Sequence, residues 1–361
     1  MAEAAFSVEI PDDQTFARAL DVSLEAVQLC RQSDLLDLHI EGILVPRLWP
    51  YDVYRRHGLG VLRGRWFGHL DFPRILDAGL TGAMWAITTN PWRTPGGRWR
   101  VFLKNLERIR ALIDGGGGLF RVVKTYAEYV EAQAAGAHAC LLSIQGGNAI
   151  EAAPDGPASI PDDCIVRITL VHLVSSVYGI TSSPMKLLNR DGGLTNHGRT
   201  LVRQMNDRRI LVDLAHINPA SFWDAHEVHD ASQPLIATHT GVDGVRPHWR
   251  NLDDRQIKAI ADTGGTVGVI YSQAFLARRG GPRDGRMVLE HMQHIIDVAG
   301  EDFVSIGSDY DGAIVPPPDL RDGRSYPRLV QHMLDAGWST ERIQKILGLN
   351  ALRVLEAIRP K

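Results

Sequence analysis

Short apolar runs in this chain end, one after another, on side chains that can bind a metal or move a proton. Residues 35–40 lead into His39 and Glu41, 138–144 stop at Gln145, and 165–173 carry His172. Residues 210–217 carry His216, 234–240 carry His239, and 303–312 carry Asp309 and Asp311. Imidazole nitrogen and carboxylate oxygen are the donors that suit zinc or a similar divalent cation, and a catalytic centre needs only three protein ligands and an open position. His39 and Glu41 stand two apart on an extended segment, so both side chains point the same way. Singly, each residue has a structural explanation: His172 as a core histidine, His216 or His239 bonding a backbone carbonyl, Asp309 capping a turn. Ligand-type polar groups at the same end of six segments, ionisable in five of them, are not expected of independent accidents, and they predict a shared site.

The elements that would position these groups are legible as a pattern. The same kind of run recurs at 82–87 and 266–271, making eight candidate strands. Between them lie stretches of helical periodicity at 99–113, 125–135, 198–208, 253–262 and 287–298, and "STERIQKILGLNALRVLEAI" closes the chain. Near-continuous apolar strands alternating with helices indicate parallel pairing with both faces covered. The fold class is therefore α/β, and eight such units predict a (β/α)8 TIM barrel, in which chemistry gathers at the C-terminal ends of the strands. An open doubly wound sheet is the alternative, weakened because no Gly-rich phosphate fingerprint follows the first strand. Residues 1–33 are expected to form a helical lead-in and 34–361 a single barrel domain. The Gly115–Gly118 run reads as a loop. His226 with His229, and His291 with His294, read as solvated helix faces and are set aside.

Composition narrows the partners. The chain has 361 residues, 44% of them hydrophobic and 22% charged, and its formal net charge is −3. It offers no basic field for nucleic acid or an anionic membrane, which leaves a small-molecule substrate as the expected partner. No run approaches the ~18 apolar residues of a membrane span and "MAEAAF" has no basic leader character, so a cytoplasmic protein is expected. Cys30, Cys140 and Cys164 are odd in number and lack a CxxC pattern, and read as small core residues.

The motifs "DLHIEG", "LLSIQGGNAI", "ITLVH", "ILVDLAH", "ATHTGVDGVRPHWRN" and "IGSDYDG", with the closing "LGLNALRVLEAI", resemble in order those of the membrane (renal) dipeptidase family, a branch of the amidohydrolase-type metal barrels. The resemblance runs from about Leu35 to Ile358. It implies two zinc ions: one on a histidine and an aspartate of the first strand, one on the histidines of the fifth and sixth, and a third-strand glutamate bridging both. His39, His216 and His239 stand at the matching histidines, whereas Glu41 replaces the aspartate and Gln145 the bridging glutamate. Asn148 stands where the family often has histidine. By the same resemblance His172 would hold the substrate's oxyanion, Arg250 its carboxylate, and Asp309 would handle the proton of the attacking water.

On this reading the run ends on Gln145 because a ligand position is there, and Gly146 and Gly147 leave room for metal and substrate. A carboxamide supplies one neutral oxygen where a bridging carboxylate supplies charge and an oxygen to each cation. Glu41 keeps the charge but displaces it by a methylene. Together the changes predict one divalent metal, zinc or another, held by His216 and His239 with His39 or Asp309, or none tightly bound. The expected activity is metal-dependent hydrolysis of a dipeptide-like or other amide in a small molecule bearing a carboxylate. A metal-poor binding or scaffold barrel and a repurposed lyase or isomerase are the alternatives. Family relatives pair, so a homodimer is a further expectation.

Overall fold

Strands without polar alternation must be covered on both faces, and here they are. The computed structural model describes residues 6–58, 61–184 and 191–361; residues 1–5 of the expected lead-in lie outside the described residues. The strands are β1 (Leu36–Ile40), β2 (Gly82–Thr88), β3 (Phe120–Val123), β4 (His138–Gln145), β5 (Arg167–Thr169), β6 (Leu211–Asp213), β7 (Leu235–Thr240), β8 (Thr266–Val269) and β9 (Val304–Ile306). All residues of β1 and β4 are buried. Every pairing between these strands is parallel, and the ladder β1, β2, β4, β5, β6, β7, β8, β9 returns to β1, closing an eight-stranded barrel. The (β/α)8 expectation holds.

The ninth strand was not expected. β3 pairs with the first half of β4, from Phe120 opposite His138 to Val123 opposite Leu141. β5 takes the second half of β4, while β2 runs along its whole length. β3 is four residues long, polar in its middle and placed just after the 115–118 glycines, so it has no periodicity to announce it.

Helices fill the intervals. Thr94 caps Pro95–Asp114, and Asp253 with Gln256 forms a reciprocal capping box on Asp254–Asp262. The closing helix Asn350–Ile358 packs Leu352, Leu355 and Ile358 with Leu36, Leu38, Met84, Leu211 and Ile236, sealing the barrel at the N-terminal ends of its strands. Asn350 ties that helix to the sheet by donating to the Val304 carbonyl (2.8 Å). Among the described residues no helix is long and apolar enough to cross a membrane. All three cysteines are buried and free.

Two of the four histidines set aside as solvated are not solvated. His291 is fully buried, accepting from the Val242 N–H at Nδ1 (2.9 Å) and donating from Nε2 to the Leu276 carbonyl (3.1 Å). His229 is 8% exposed, and its Nε2 donates to the Gln233 carbonyl (2.8 Å). Both act as loop ties, a role that helical spacing alone does not reveal.

Candidate functional site

Below the C-terminal mouth of the barrel lies a buried polar layer. Arg167 of β5 and Asp213 of β6 are both fully buried and meet at 3.3 Å. The Asp213 carboxylate also accepts from the hydroxyls of Thr169 (2.6 Å) and Thr238 (2.8 Å). Asp37 of β1 accepts from the backbone N–H groups of His39 and Ser308, and from the Tyr326 hydroxyl (2.7 Å). A charge sunk in an apolar strand persists only when it is partnered.

On this layer stand the histidines. His39 and His239 are fully buried, with rings stacked at 3.9 Å. The Nε2 atoms of His239 and His216 lie 2.8 Å apart. Asp309 Oδ1 is 3.4 Å from His39 Nε2, a buried nitrogen with no hydrogen-bond partner among the described residues. His39 and His239 lie within β1 and β7. His172, His216 and Asp309 come three residues after the ladder stops at Thr169, Asp213 and Ile306, so they belong to loops and not to the strands on which they were expected. His216 and Asp309 adopt left-handed backbone, with φ of 65° and 61°. That conformation is costly for residues other than glycine and turns both side chains into the mouth.

The other expected residues gather around this centre. Glu41 Oε1 lies 3.9 Å from His39 Nε2 and accepts from the Thr88 hydroxyl, while Oε2 is buried without a partner. Gln145 places its amide nitrogen 3.4 Å from His216 Nε2. The His172 ring meets that of His216 edge-on at 4.7 Å. Arg250 is buried and donates from Nη2 to the His239 carbonyl (2.7 Å), leaving Nε unpaired among the described residues. The Asn148 backbone carbonyl accepts from Arg98 Nε (2.9 Å). Asp311 is also drawn away: it accepts from the His69 N–H (2.7 Å), and its own N–H donates to His69 Nδ1 (2.9 Å).

Comparison with known proteins follows the same pattern. Residues 20–360 match the family model described as membrane dipeptidase, peptidase family M19. This chain belongs to the membrane dipeptidase family. A Klebsiella pneumoniae protein, described as an uncharacterized protein in the pqqA 5' region, is 39% identical over 170 residues, 46% of this chain and 61% of that one. The dipeptidase verJ of Clonostachys rogersoniana is 27% identical over 264 residues, 72% of this chain and 65% of that one. These matches span less than two thirds of either curated relative. The crystal structure of a Rhodobacter sphaeroides metallo peptidase, liganded with a phosphinate mimic of L-Ala-D-Ala, aligns with a TM-score of 0.77 at 27% identity. That alignment covers 90% of this chain and 99% of the other.

The donor groups gathered at the mouth fit a divalent cation. His39, His239 and Asp309 each offer a buried ligand atom, all within 4.8 Å of one another. His216 Nε2 faces His239 Nε2, and His39 Nε2 and Glu41 Oε2 are buried without partners. A second group, Asp284, Asp319 and His332, is already committed internally. Arg286 holds Asp284 (2.8 Å), Asp319 holds His332 (2.6 Å), and the Gly285 N–H donates to Asp319 (2.8 Å).

Sequence reasoning missed the supporting layer. Its signal was available: Arg167, Asp213 and Asp37 are charges interrupting apolar runs, at positions where a strand covered on both faces has no water to offer them.

Burial shapes the protonation of the site. It lowers His39, His216 and His239 well below 6.5, helped by Arg250, Arg167 and one another, and it raises Asp309 well above 3.8 with Glu41 adding to the effect. Glu41 rises from 4.5 to about 7, chiefly by desolvation. Between those values the folded chain keeps a proton that the unfolded chain has released, so the Glu41 contribution to stability falls as pH rises across the window, by at most about 3 kcal/mol. The histidines act oppositely, removing stability as pH falls below 6.5. Comparison with Glu41→Gln cancels that opposing term. In denaturant titrations of metal-free protein, wild type should lose stability relative to Glu41→Gln between about pH 5 and about pH 8. A constant difference would mean that Glu41 ionises as an ordinary carboxylate.

Proposed function

We propose that this chain is a metal-dependent hydrolase of dipeptide-like amides carrying a free carboxylate. The observation that carries the reading is the convergence of His39, His216, His239 and Asp309 at the barrel mouth, in a chain that belongs to the membrane dipeptidase family. His216 and His239 would hold the metal, with His39 or Asp309 completing its protein ligands and Gln145 too weak a donor to bridge to a second. When bound, a divalent cation polarises the scissile carbonyl and makes a water molecule acidic enough to attack it.

The chain's own groups do the rest. Asp309, whose carboxyl is raised by burial and by Glu41, takes the water's proton at a carboxylate oxygen and returns it to the leaving amine. His172, lowered to about 3 by burial, is neutral and offers a ring N–H to the developing oxyanion. Arg250 is anchored by Nη2 on the His239 carbonyl, and its unpaired Nε leaves a donor for the substrate carboxylate.

The test is hydrolysis of a dipeptide panel by zinc-supplied protein, with each dipeptide also presented as its C-terminal amide. Amidation, or Arg250→Met with the free acid, should raise KM about 10–100-fold, the value of a lost charge-assisted hydrogen bond. Equal cleavage of acid and amide would remove the carboxylate clamp. Absence of cleavage by metal-loaded protein would remove the hydrolase reading.

A further inference from the structure

The stacked pair His39 and His239 face opposite partners at their second ring nitrogens. His239 Nδ1 meets the Thr238 hydroxyl at 2.8 Å. That hydroxyl gives its one hydrogen to Asp213 (2.8 Å), so toward the ring it can only accept. His239 therefore carries its hydrogen on Nδ1 and presents the Nε2 lone pair to the site, the arrangement usual for a metal-bound imidazole. His39 Nδ1 instead meets Arg167 Nη2 at 2.8 Å. A guanidinium has only donors, so His39 Nδ1 accepts, and the hydrogen of its neutral ring must sit on Nε2. Nε2 is the atom facing Asp309 Oδ1, 3.4 Å away.

Arg167 cannot readily turn aside. It is fully buried, and its Nη1 is bound to the Thr169 hydroxyl (2.6 Å), to Asp213 (3.3 Å) and to the Ile144 carbonyl (3.4 Å). Asp213 thus supports both outcomes: through Thr238 it frees the lone pair of His239, and by pairing with Arg167 it fixes the donor that occupies the lone pair of His39.

We propose that Arg167 is a positioning residue that holds His39 with its hydrogen on Nε2, facing Asp309, so that His239 coordinates the metal and His39 does not. The coordination half of this proposal rests on the metal-dependent reading above; the ring assignment does not, because it concerns the metal-free protein. It makes His39 an orienting group for the Asp309 carboxylate in place of a ligand.

Two measurements test it. The first is 15N NMR of metal-free, histidine-labelled protein, with the His39 and His239 signals assigned by their loss in His39→Gln and His239→Gln. His39 should show a protonated Nε2 and an unprotonated Nδ1, and His239 the reverse. Arg167→Lys, also donor-only, should preserve the His39 pattern, while Arg167→Met should let the hydrogen partition between the two nitrogens. If Arg167→Met does not fold, wild type and the lysine variant still decide. A His39 ring protonated on Nδ1 in wild type would overturn the proposal.

The second measurement is zinc binding by calorimetry. His39→Gln should weaken binding by about 10-fold, the cost of a lost outer-shell partner, whereas His239→Gln should weaken it more than about 100-fold. Equal losses in the two variants would overturn the coordination half. Failure of wild type to bind zinc at all would overturn the coordination half together with the hydrolase reading, and the NMR result would still decide the ring assignment.

Discussion

Replacing His239 with glutamine is expected to remove both the metal and the activity of this protein. His239 is fully buried, its Nδ1 is fixed on the Thr238 hydroxyl, and its Nε2 lies 2.8 Å from the matching atom of His216. A carboxamide at that position supplies a weak neutral oxygen and no imidazole. Loss of an outer-shell partner typically weakens metal binding about 10–100-fold, so loss of a direct ligand should exceed about 100-fold. Polarisation of the scissile carbonyl contributes several kcal/mol, so kcat/KM should fall by about 10^3 or more. Elemental analysis after dialysis, followed by dipeptide assays, checks both. A variant that keeps a full metal equivalent together with its peptidase rate would show that the centre lies elsewhere.

Gln145→Glu is expected to act in the opposite direction, raising metal content from about one to about two per chain, with greater dipeptide turnover. In wild type the Gln145 amide nitrogen lies 3.4 Å from His216 Nε2, and its oxygen lies 3.4 Å from the Thr169 hydroxyl, whose hydrogen goes to Asp213. It brings no charge to offset two cations held about 3.5–4 Å apart. A glutamate would bring that charge and an oxygen for each metal. It would also bury a carboxylate beside Glu41 and Asp309, two acids whose own protonation is already shifted upward by burial. The metal-free variant should therefore be less stable than wild type, by several kcal/mol on the scale of an unpaired buried charge, and zinc should restore it. Elemental analysis reads the stoichiometry, and melting with and without zinc reads the coupling. A variant that stays at one metal, with zinc stabilising it no more than wild type, would show that Gln145 is not what limits the site to one.

The neighbourhood of Gln145 also shows why family membership and residue function separate here. The chain matches the membrane dipeptidase model over residues 20–360. On the sequence resemblance Gln145 and Glu41 depart from the expected metal ligands, and the buried Oε2 of Glu41 has no partner among the described residues. A conventional fold thus carries an altered donor set, whose consequence is measured by metal stoichiometry more directly than by similarity.

By itself the sequence determined the barrel and the identity of the groups at its mouth. Apolar runs spaced by helical periodicity are local patterns with one compatible architecture, and a histidine or acid closing such a run is visible without knowledge of the neighbouring strand. Only the tertiary structure decided what those groups face. It added β3, buried His291 and His229, drew Asp311 away to His69, and moved His172, His216 and Asp309 from strands to loops. It also assembled the layer of Arg167, Asp213, Thr169 and Thr238 beneath the histidines. The physical reason is range: Arg167 and His39 are 128 positions apart in the chain, yet their 2.8 Å contact selects which ring nitrogen carries the hydrogen. Periodicity records which face of an element is covered, whereas hydrogen-bond partners are chosen by whatever the closed barrel brings against it.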